Sequence, residues 1–114
     1  MGLEKVEKID DFRSILEEKD LFLLFKHSLT CPISKAAFAE LQSYLDHFPD
    51  LDAYFLAVQE SRPLSNHIAD YFDIQHESPQ IFLIAKGKVV WHSSHWNITE
   101  SAIKKAVEGI EKVS

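Results

Sequence analysis

Short continuous apolar runs alternate along this chain with segments in which apolar residues recur every three or four positions. An apolar run of strand length is typical of a strand covered on both faces, whereas the longer period indicates an amphipathic helix. The runs predict strands over residues 21–25, 53–58, 80–85 and 89–92. The periodic segments predict helices over about residues 10–18, over residues 32–47, from Ser61 onward, and from a capping Thr99 onward.

The order of these elements predicts an α/β fold with a mixed sheet and helices on both faces. Strands that alternate with helices make parallel crossovers, so the first half of the sheet is expected to be parallel, with residues 53–58 as a central strand. Only Lys86, Gly87 and Lys88 separate the last two strands, which predicts an antiparallel C-terminal hairpin. With 114 residues, 46% of them hydrophobic, we expect a single domain over residues 1–114.

Charge and hydropathy exclude two classes of partner. The chain has 18 acidic and 12 basic residues, a formal net charge of −6, and no basic cluster longer than Lys104-Lys105, so we expect no nucleic-acid binding. The charged residues between Glu4 and Asp10 are interpreted as turns or solvated helix faces. No segment has the apolar length that spans a bilayer, and residues 1–5 contain no apolar signal region. We therefore expect no membrane attachment and a cytoplasmic location.

Cys31 is the only cysteine in the chain, and it lies where the first apolar run gives way to the longest helical pattern. At the start of a helix, unpaired N–H groups and the positive end of the helix dipole stabilise a thiolate relative to a thiol. This placement predicts a reactive thiol, although free cysteine is also among the residues most often buried. A lone cysteine forms no internal disulfide, which favours a reducing compartment.

Other side chains that could support chemistry give weaker signals. Six histidines are present, but the pairs His92 with His95 and His27 with Cys31 lack the spacing of a structural zinc site, so we expect no bound metal. Lys26 and His27 are close to Cys31 in sequence, and a cation there would stabilise the thiolate. Because an exposed lysine is normally solvated, this contribution is expected to be minor.

This order of elements is that of the thioredoxin fold. Two motifs of the chain lie at the positions where that fold has its active site. Cys31-Pro32-Ile33-Ser34 opens the first long helix, where thioredoxins and glutaredoxins carry Cys-x-x-Cys, with serine here in place of the second cysteine. Ser78-Pro79 precedes the third strand, where thioredoxin-like proteins have a cis-proline, so Pro79 is expected to be cis. Over essentially its full length the chain resembles the monothiol bacilliredoxins, YtxJ-type proteins of the bacillithiol system, notably in residues 30–34 and 94–99.

This resemblance implies a thiol–disulfide oxidoreductase that removes bacillithiol, a low-molecular-weight thiol, from mixed disulfides on client proteins. Cys31 would attack the bacillithiol sulfur, the client thiol would leave, and Cys31 would then carry bacillithiol. Because the chain has no second cysteine, a thiol from outside, either bacillithiol itself or a partner redoxin, must resolve this intermediate. The resemblance implies no bound cofactor, and bacillithiol is the co-substrate.

The resemblance also assigns roles to individual residues. The catalytic residues are Cys31, Pro32 and Ser34, and the substrate-binding residues are Thr30, Ser78, Pro79 and Trp96. Three residues after Cys31 on the same helix, Ser34 is expected to donate a hydrogen bond from its hydroxyl to the Cys31 thiolate. Purely structural interpretations exist beside these roles. Proline suits the first turn of any helix, a serine there commonly bonds backbone, a trans Pro79 would only begin an edge strand, and Trp96 is equally suited to packing over the end of the sheet.

Two other functions are compatible with the sequence. A cysteine hydrolase needs a cysteine and a histidine, but no protease-type sequence surrounds Cys31 and no orienting acid lies at a recognisable spacing. The other is a noncatalytic thioredoxin-fold adaptor in which Cys31 is only a site of bacillithiol modification, and so of redox sensing. Sequence alone hardly separates such an adaptor from an enzyme.

Overall fold

The computed structural model describes residues 3–113, with side chains to residue 110. Within this range the chain forms a five-stranded mixed sheet flanked by helices. In chain order the elements are β1 (Leu3–Lys5), α1 (Ile9–Glu18), β2 (Leu21–His27), α2 (Pro32–His47), β3 (Asp52–Ala57), α3 (Arg62–Phe72), β4 (Gln80–Ala85), β5 (Lys88–Ser94), a 3-10 turn (His95–Asn97) and α4 (Glu100–Val113). Every helix and strand that the sequence pattern predicts is present.

The strand order of the sheet is β1-β3-β2-β4-β5. β3 lies between β1 and β2 and is parallel to both, because the crossovers through α1 and α2 return the chain to the same end of the sheet. β4 is antiparallel to β2 and forms a hairpin with β5, whose turn contains Gly87 at a φ of 78°. The expected mixed α/β sheet, parallel in its first half and closed by an antiparallel hairpin, is confirmed.

A hydrophobic core lies on each face of the sheet, because successive side chains of a strand point to opposite faces. On β2, Leu23 and Phe25 pack with residues of α2 and α4, whereas Phe22 and Leu24 pack with residues of α1 and α3. Helices therefore cover both faces, as expected. None of the helices in the described range is long and apolar enough to cross a membrane.

The short strand β1 differs from the sequence prediction. Glu4 and Lys5 are charged, and three residues are too few for a period of two to be visible in the sequence. The strand forms because its backbone pairs with the edge of β3, with Leu3 opposite Ala53. The interpretation of Glu4 and Lys5 as part of a turn or helix is therefore wrong, since pairing with a distant strand determines their conformation.

Several connections meet at one end of the sheet. β2 and β3 end there, and β4 begins there because it runs antiparallel to β2. Lys26 near the end of β2 is opposite Gln80 at the start of β4, and Gln80 is opposite Ser94 at the end of β5. The loops that follow β2 and β5 and the loop that precedes β4 are thereby brought together. In open α/β sheets, ligands bind outside this carboxyl end of the parallel strands.

Candidate active site

Cys31 is the N-cap residue of α2 and ends the loop that follows β2. Its backbone is extended, Pro32 takes the first helical position, and the Cys31 carbonyl accepts a hydrogen bond from the Lys35 N–H at 3.1 Å. The side chain is partly exposed, is not in a disulfide and caps no backbone N–H. The expected placement at a strand-to-helix junction is confirmed. The Cys31 thiol is therefore accessible at the N-terminus of α2.

We call residues 28–31 the cysteine loop. The side chain of Gln59, in the connection after β3, restrains this loop through hydrogen bonds. The Gln59 Oε1 accepts a hydrogen bond from the Leu29 N–H at 3.1 Å, and its Nε2 donates to the Ser28 Oγ at 2.9 Å and the Thr30 Oγ1 at 3.4 Å. The Cys31 N–H donates to the Ser28 carbonyl at 3.5 Å. One amide side chain thus contacts each of the three residues that precede the thiol.

Ser34 also restrains the cysteine loop. It is fully buried, and its Oγ accepts a hydrogen bond from the Ser28 N–H at 2.8 Å and lies 2.8 Å from the Nδ1 of His27. The His27 ring stacks on Phe38, and burial lowers the pKa of His27, so its imidazole is neutral at neutral pH. Ser34 therefore connects the end of β2, the cysteine loop and the first turn of α2.

The tautomer of His27 decides what else the Ser34 hydroxyl can do. With Nδ1 unprotonated, Ser34 donates its only proton to the ring; with Nδ1 protonated, Ser34 accepts from the ring and its proton is free for another acceptor. A hydrogen bond from Ser34 to the Cys31 thiolate requires the second tautomer. That bond stays a prediction.

Residues 73–79, which connect α3 to β4 and which we call the proline loop, reach the same end of the sheet. The bond between Ser78 and Pro79 is cis, as expected from the sequence. The Pro79 carbonyl accepts a hydrogen bond from the His95 N–H at 3.1 Å, so the start of β4 is joined to the turn after β5. The Ser78 Oγ is buried and has no hydrogen-bond partner among the described residues.

Trp96 lies in the 3-10 turn that follows β5, next to His95. Its side chain is 68% exposed, although the turn as a whole packs against α2. A tryptophan that covered the end of the sheet would be largely buried, so the packing interpretation does not fit. The turn is linked to the proline loop through His95, and it presents a large apolar side chain to solvent at the same end of the sheet as Cys31.

A family model described as "Monothiol bacilliredoxin BrxC" matches residues 4–103, which include every candidate site residue. The chain belongs to the monothiol bacilliredoxin family. One solved structure, described as that of a candidate oxidoreductase with a thioredoxin fold, is 38% identical to this bacilliredoxin-family chain. That alignment covers 92% of this chain and 93% of the other, with a TM-score of 0.87. Family and fold together support a thiol redox function.

Thioredoxins of other organisms share the fold at lower identity. The thioredoxin of Trypanosoma brucei brucei is 16% identical, with 97% of this chain and 92% of the other covered and a TM-score of 0.79. The oxidised form of mitochondrial thioredoxin 3 from Saccharomyces cerevisiae is 18% identical, with 94% of each chain covered and a TM-score of 0.75. At these identities the comparison shows a common thioredoxin fold, which was the fold expected from the order of elements.

Lys26 lies where the sequence analysis did not expect it. Its side chain is fully buried on the α3 face of the sheet, where the Nζ donates to the Ser65 carbonyl at 3.1 Å and to the His76 Nδ1 at 3.0 Å. The interpretation of Lys26 as a solvated side chain near Cys31 is therefore wrong. The signal was available, because extending the alternation of Phe22 and Leu24 along β2 makes Lys26 point inward.

Gln59 was also missed, and no pattern in the sequence marks it, because its partners precede it by about 30 residues. Two of the three histidines that could have suggested a metal site have other partners. His27 bonds to Ser34, and His95 lies 3.7 Å from Glu77. Among the residues that the structure describes, no group of three or more histidine, cysteine or acidic side chains could hold a metal ion.

Proposed function

We propose that this chain is a monothiol thiol–disulfide oxidoreductase that removes bacillithiol from mixed disulfides on client proteins. The observation that carries the proposal is the position of Cys31, a partly exposed thiol at the N-terminus of α2 in a chain without a second cysteine. Ser34 takes the place that a resolving cysteine has in dithiol members of the fold, so the exchange must use a sulfur from outside the chain. The membership in the monothiol bacilliredoxin family supports the same assignment.

The first step transfers bacillithiol from the client to Cys31. The Cys31 thiolate attacks the bacillithiol sulfur, a new S–S bond forms between Cys31 and bacillithiol, and the S–S bond to the client breaks. The client leaves as a thiolate and takes up a proton from solvent. The partial exposure of Cys31 at the N-terminus of α2 lets the bacillithiol sulfur of the mixed disulfide approach, with the client sulfur in line as the leaving group.

The second step restores the Cys31 thiol. A second bacillithiol thiolate attacks the bacillithiol sulfur bound to Cys31, which releases oxidised bacillithiol and the Cys31 thiolate. A partner redoxin with its own thiol would instead take bacillithiol onto itself. Either donor supplies the electron pair that an internal second cysteine supplies in dithiol enzymes, and no bound cofactor takes part.

The remaining site residues are proposed to hold the substrate. Thr30 in the cysteine loop and Trp96 in the turn after β5 are both exposed, and the indole is proposed to offer apolar surface to a client. The backbone of Ser78 and Pro79 is proposed to pair with an extended client segment, as in strand addition.

The reaction is proposed to take place in the cytoplasm, where thiols are kept reduced, without nucleic acid or membrane as partner. The net charge of −6 supports the absence of nucleic acid. Bacillithiolated proteins are the proposed clients, and the proposal names them only by this modification.

The direct test is release of bacillithiol from a peptide that carries it in a mixed disulfide, followed by mass spectrometry with free bacillithiol as donor. We expect turnover by the wild type and none by Cys31→Ala, with Ser43→Ala as a folded control in the same helix. The same peptide modified with glutathione measures selectivity for the small thiol. Release that persists in Cys31→Ala would exclude the mechanism. A single transfer to Cys31 with no turnover under any donor would instead favour a redox-sensing adaptor.

A further inference from the structure

Lys26 is a buried cation in the structure that has no carboxylate partner among the described residues. Its side chain is 0% exposed, its Nζ donates to the Ser65 carbonyl of α3 and to the His76 Nδ1 of the proline loop, and the Phe82 ring lies 5.9 Å from the Nζ. Burying an ammonium group without a counter-charge carries a large desolvation cost, and an uncharged side chain of similar length would fill the same space more cheaply. We therefore expect the role of Lys26 to lie in the contacts that its side chain makes.

A second buried polar side chain acts on the same segment. Gln80, the first residue of β4, is also 0% exposed. Its Oε1 accepts a hydrogen bond from the Glu77 N–H at 3.2 Å, and its Nε2 donates to the Gln75 carbonyl at 3.1 Å. Lys26 and Gln80 are direct partners in the pairing of β2 with β4. Two neighbouring side chains of the sheet thus bind three consecutive residues of the proline loop.

These contacts fix the loop just before Ser78 and Pro79. His76 is held by the Lys26 ammonium and lies 3.3 Å from the Ser65 Oγ through the same Nδ1, so the loop is tied to α3 as well as to the sheet. Beyond Pro79 the chain is fixed by its pairing with β2 and by the hydrogen bond from His95. The segment proposed to meet the client is therefore restrained on both sides.

The protonation states agree with this arrangement. Burial lowers the pKa of Lys26 to about 8, so the amine still carries its proton at neutral pH. Burial, and then the charges of Lys26 and of Arg62 on α3, lower the pKa of His76, with Glu77 acting in the opposite direction. A neutral His76 with its proton on Nε2 presents an unprotonated Nδ1, and this tautomer accepts a hydrogen bond from the ammonium.

We propose that Lys26 is a positioning residue, which holds the proline loop through His76 and, together with Gln80, keeps Ser78 and Pro79 in the arrangement that receives an extended client. This inference rests on the proposed function for the identity of the client. It assigns no chemical step to Lys26, which is buried on the α3 face of the sheet, whereas Cys31 begins the helix on the opposite face.

The test uses Lys26→Met, which keeps the length of the side chain and removes its charge and hydrogen bonds. Lys88→Met, at an exposed lysine of β5, is the matched control. His76→Ala removes the other partner from an exposed position and guards against a folding defect in the buried variant. We expect amide hydrogen exchange of residues 75–78 to accelerate by roughly tenfold in Lys26→Met and His76→Ala but not in Lys88→Met.

Two kinetic readouts separate positioning from general damage. In Lys26→Met and in His76→Ala, the KM for a bacillithiolated peptide should rise by about fivefold or more while kcat changes by less than about twofold. The rate at which iodoacetamide alkylates Cys31 should stay within about twofold of wild type, because this small reagent needs no contact with the proline loop. A purely structural role would lower all rates together.

The inference is overturned if exchange of residues 75–78 is unchanged in Lys26→Met and His76→Ala. It is also overturned if the loop loosens while the KM stays at the wild-type value. Failure of the proposed function has a different signature, since the wild type itself would then release no bacillithiol. The exchange measurement is independent of turnover, so it still decides whether Lys26 holds the loop.

Discussion

Two adjacent residues of β2, Lys26 and His27, point to opposite faces of the sheet, and each organises one half of the site. His27 pairs with Ser34 on the α2 face and secures the cysteine loop. Lys26 pairs with His76 on the α3 face and secures the proline loop. The loop that carries the nucleophile and the loop proposed to carry the substrate are therefore held by separate sets of bonds, so each can be disturbed while the other stays intact.

The two polar clusters differ in charge. The cluster on the α2 face consists of neutral groups, since burial lowers the pKa of His27 and keeps its ring unprotonated. The cluster on the α3 face contains a buried ammonium. A neutral pair costs little to bury, whereas a buried cation lowers stability wherever it stays charged. The difference predicts that the two halves respond differently to pH and to substitution.

The largest expected effect is the pH dependence of stability that Lys26 contributes. Its pKa is about 8 in the folded protein against 10.5 for the unperturbed side chain, so between these values the unfolded chain binds more protons. Stability therefore rises with pH in this window. The free energy of unfolding of the wild type, measured in urea relative to Lys26→Met, should increase by about 2–3 kcal/mol between about pH 7 and pH 10. An identical pH dependence in both proteins would show that burial does not lower the pKa of Lys26.

The second prediction concerns the polar cluster on the α2 face, which restrains the cysteine loop. Ser34→Ala leaves the Ser28 N–H and the His27 ring without their partner, which should lower the free energy of unfolding by about 1–3 kcal/mol. Because the cysteine loop itself loosens, the alkylation rate of Cys31 should change, in contrast to Lys26→Met. Ser43→Ala, which removes a serine bonded to Glu100 near the other end of α2, is the control and should leave the alkylation rate unchanged. An alkylation rate that does not respond to Ser34→Ala would mean that Ser34 does not restrain the cysteine loop.

The smallest effect is expected for Gln59, the exposed residue whose side chain restrains the cysteine loop. Gln59→Ala removes bonds to Ser28, Leu29 and Thr30 that water can replace, so stability should fall by only about 0.5–1 kcal/mol. Exchange of the Leu29 amide should accelerate, while exchange of residues 75–78 stays as in wild type. Gln75→Ala in the proline loop is the matched control, since its carbonyl rather than its side chain makes the bond to Gln80. Faster exchange in both loops would argue against their independence.

Most of the fold was predictable because it follows from local periodicity. The run of residues 80–85 and the helical spacing of residues 32–47 set the bounds of β4 and α2 as observed. β1 was not predictable, since two of its three residues are charged and its conformation depends on pairing with β3, about 50 residues away. Local periodicity therefore predicts most helices and strands, whereas the edge strand β1 depends on backbone pairing with a distant strand.

The site was predictable to the extent that it depends on position along the chain. Cys31 at a strand-to-helix junction and Ser78-Pro79 before β4 follow from the order of elements and the motif. The supports of these residues do not, because Lys26 finds its partners 39 and 50 residues later, in Ser65 and His76. The alternation along β2 indicates the face on which Lys26 lies, but only the packing of α3 and the proline loop over that face determines which residues it contacts.

Cys31 is proposed to take bacillithiol from a client and to pass it to an external thiol. The most direct measurement is the intact mass of the chain after brief mixing with a bacillithiolated peptide and no other thiol. We predict one added bacillithiol on Cys31, an equal amount of freed peptide thiol, and loss of the adduct when bacillithiol is added. An unmodified chain beside an intact peptide disulfide would exclude Cys31 as the acceptor of bacillithiol.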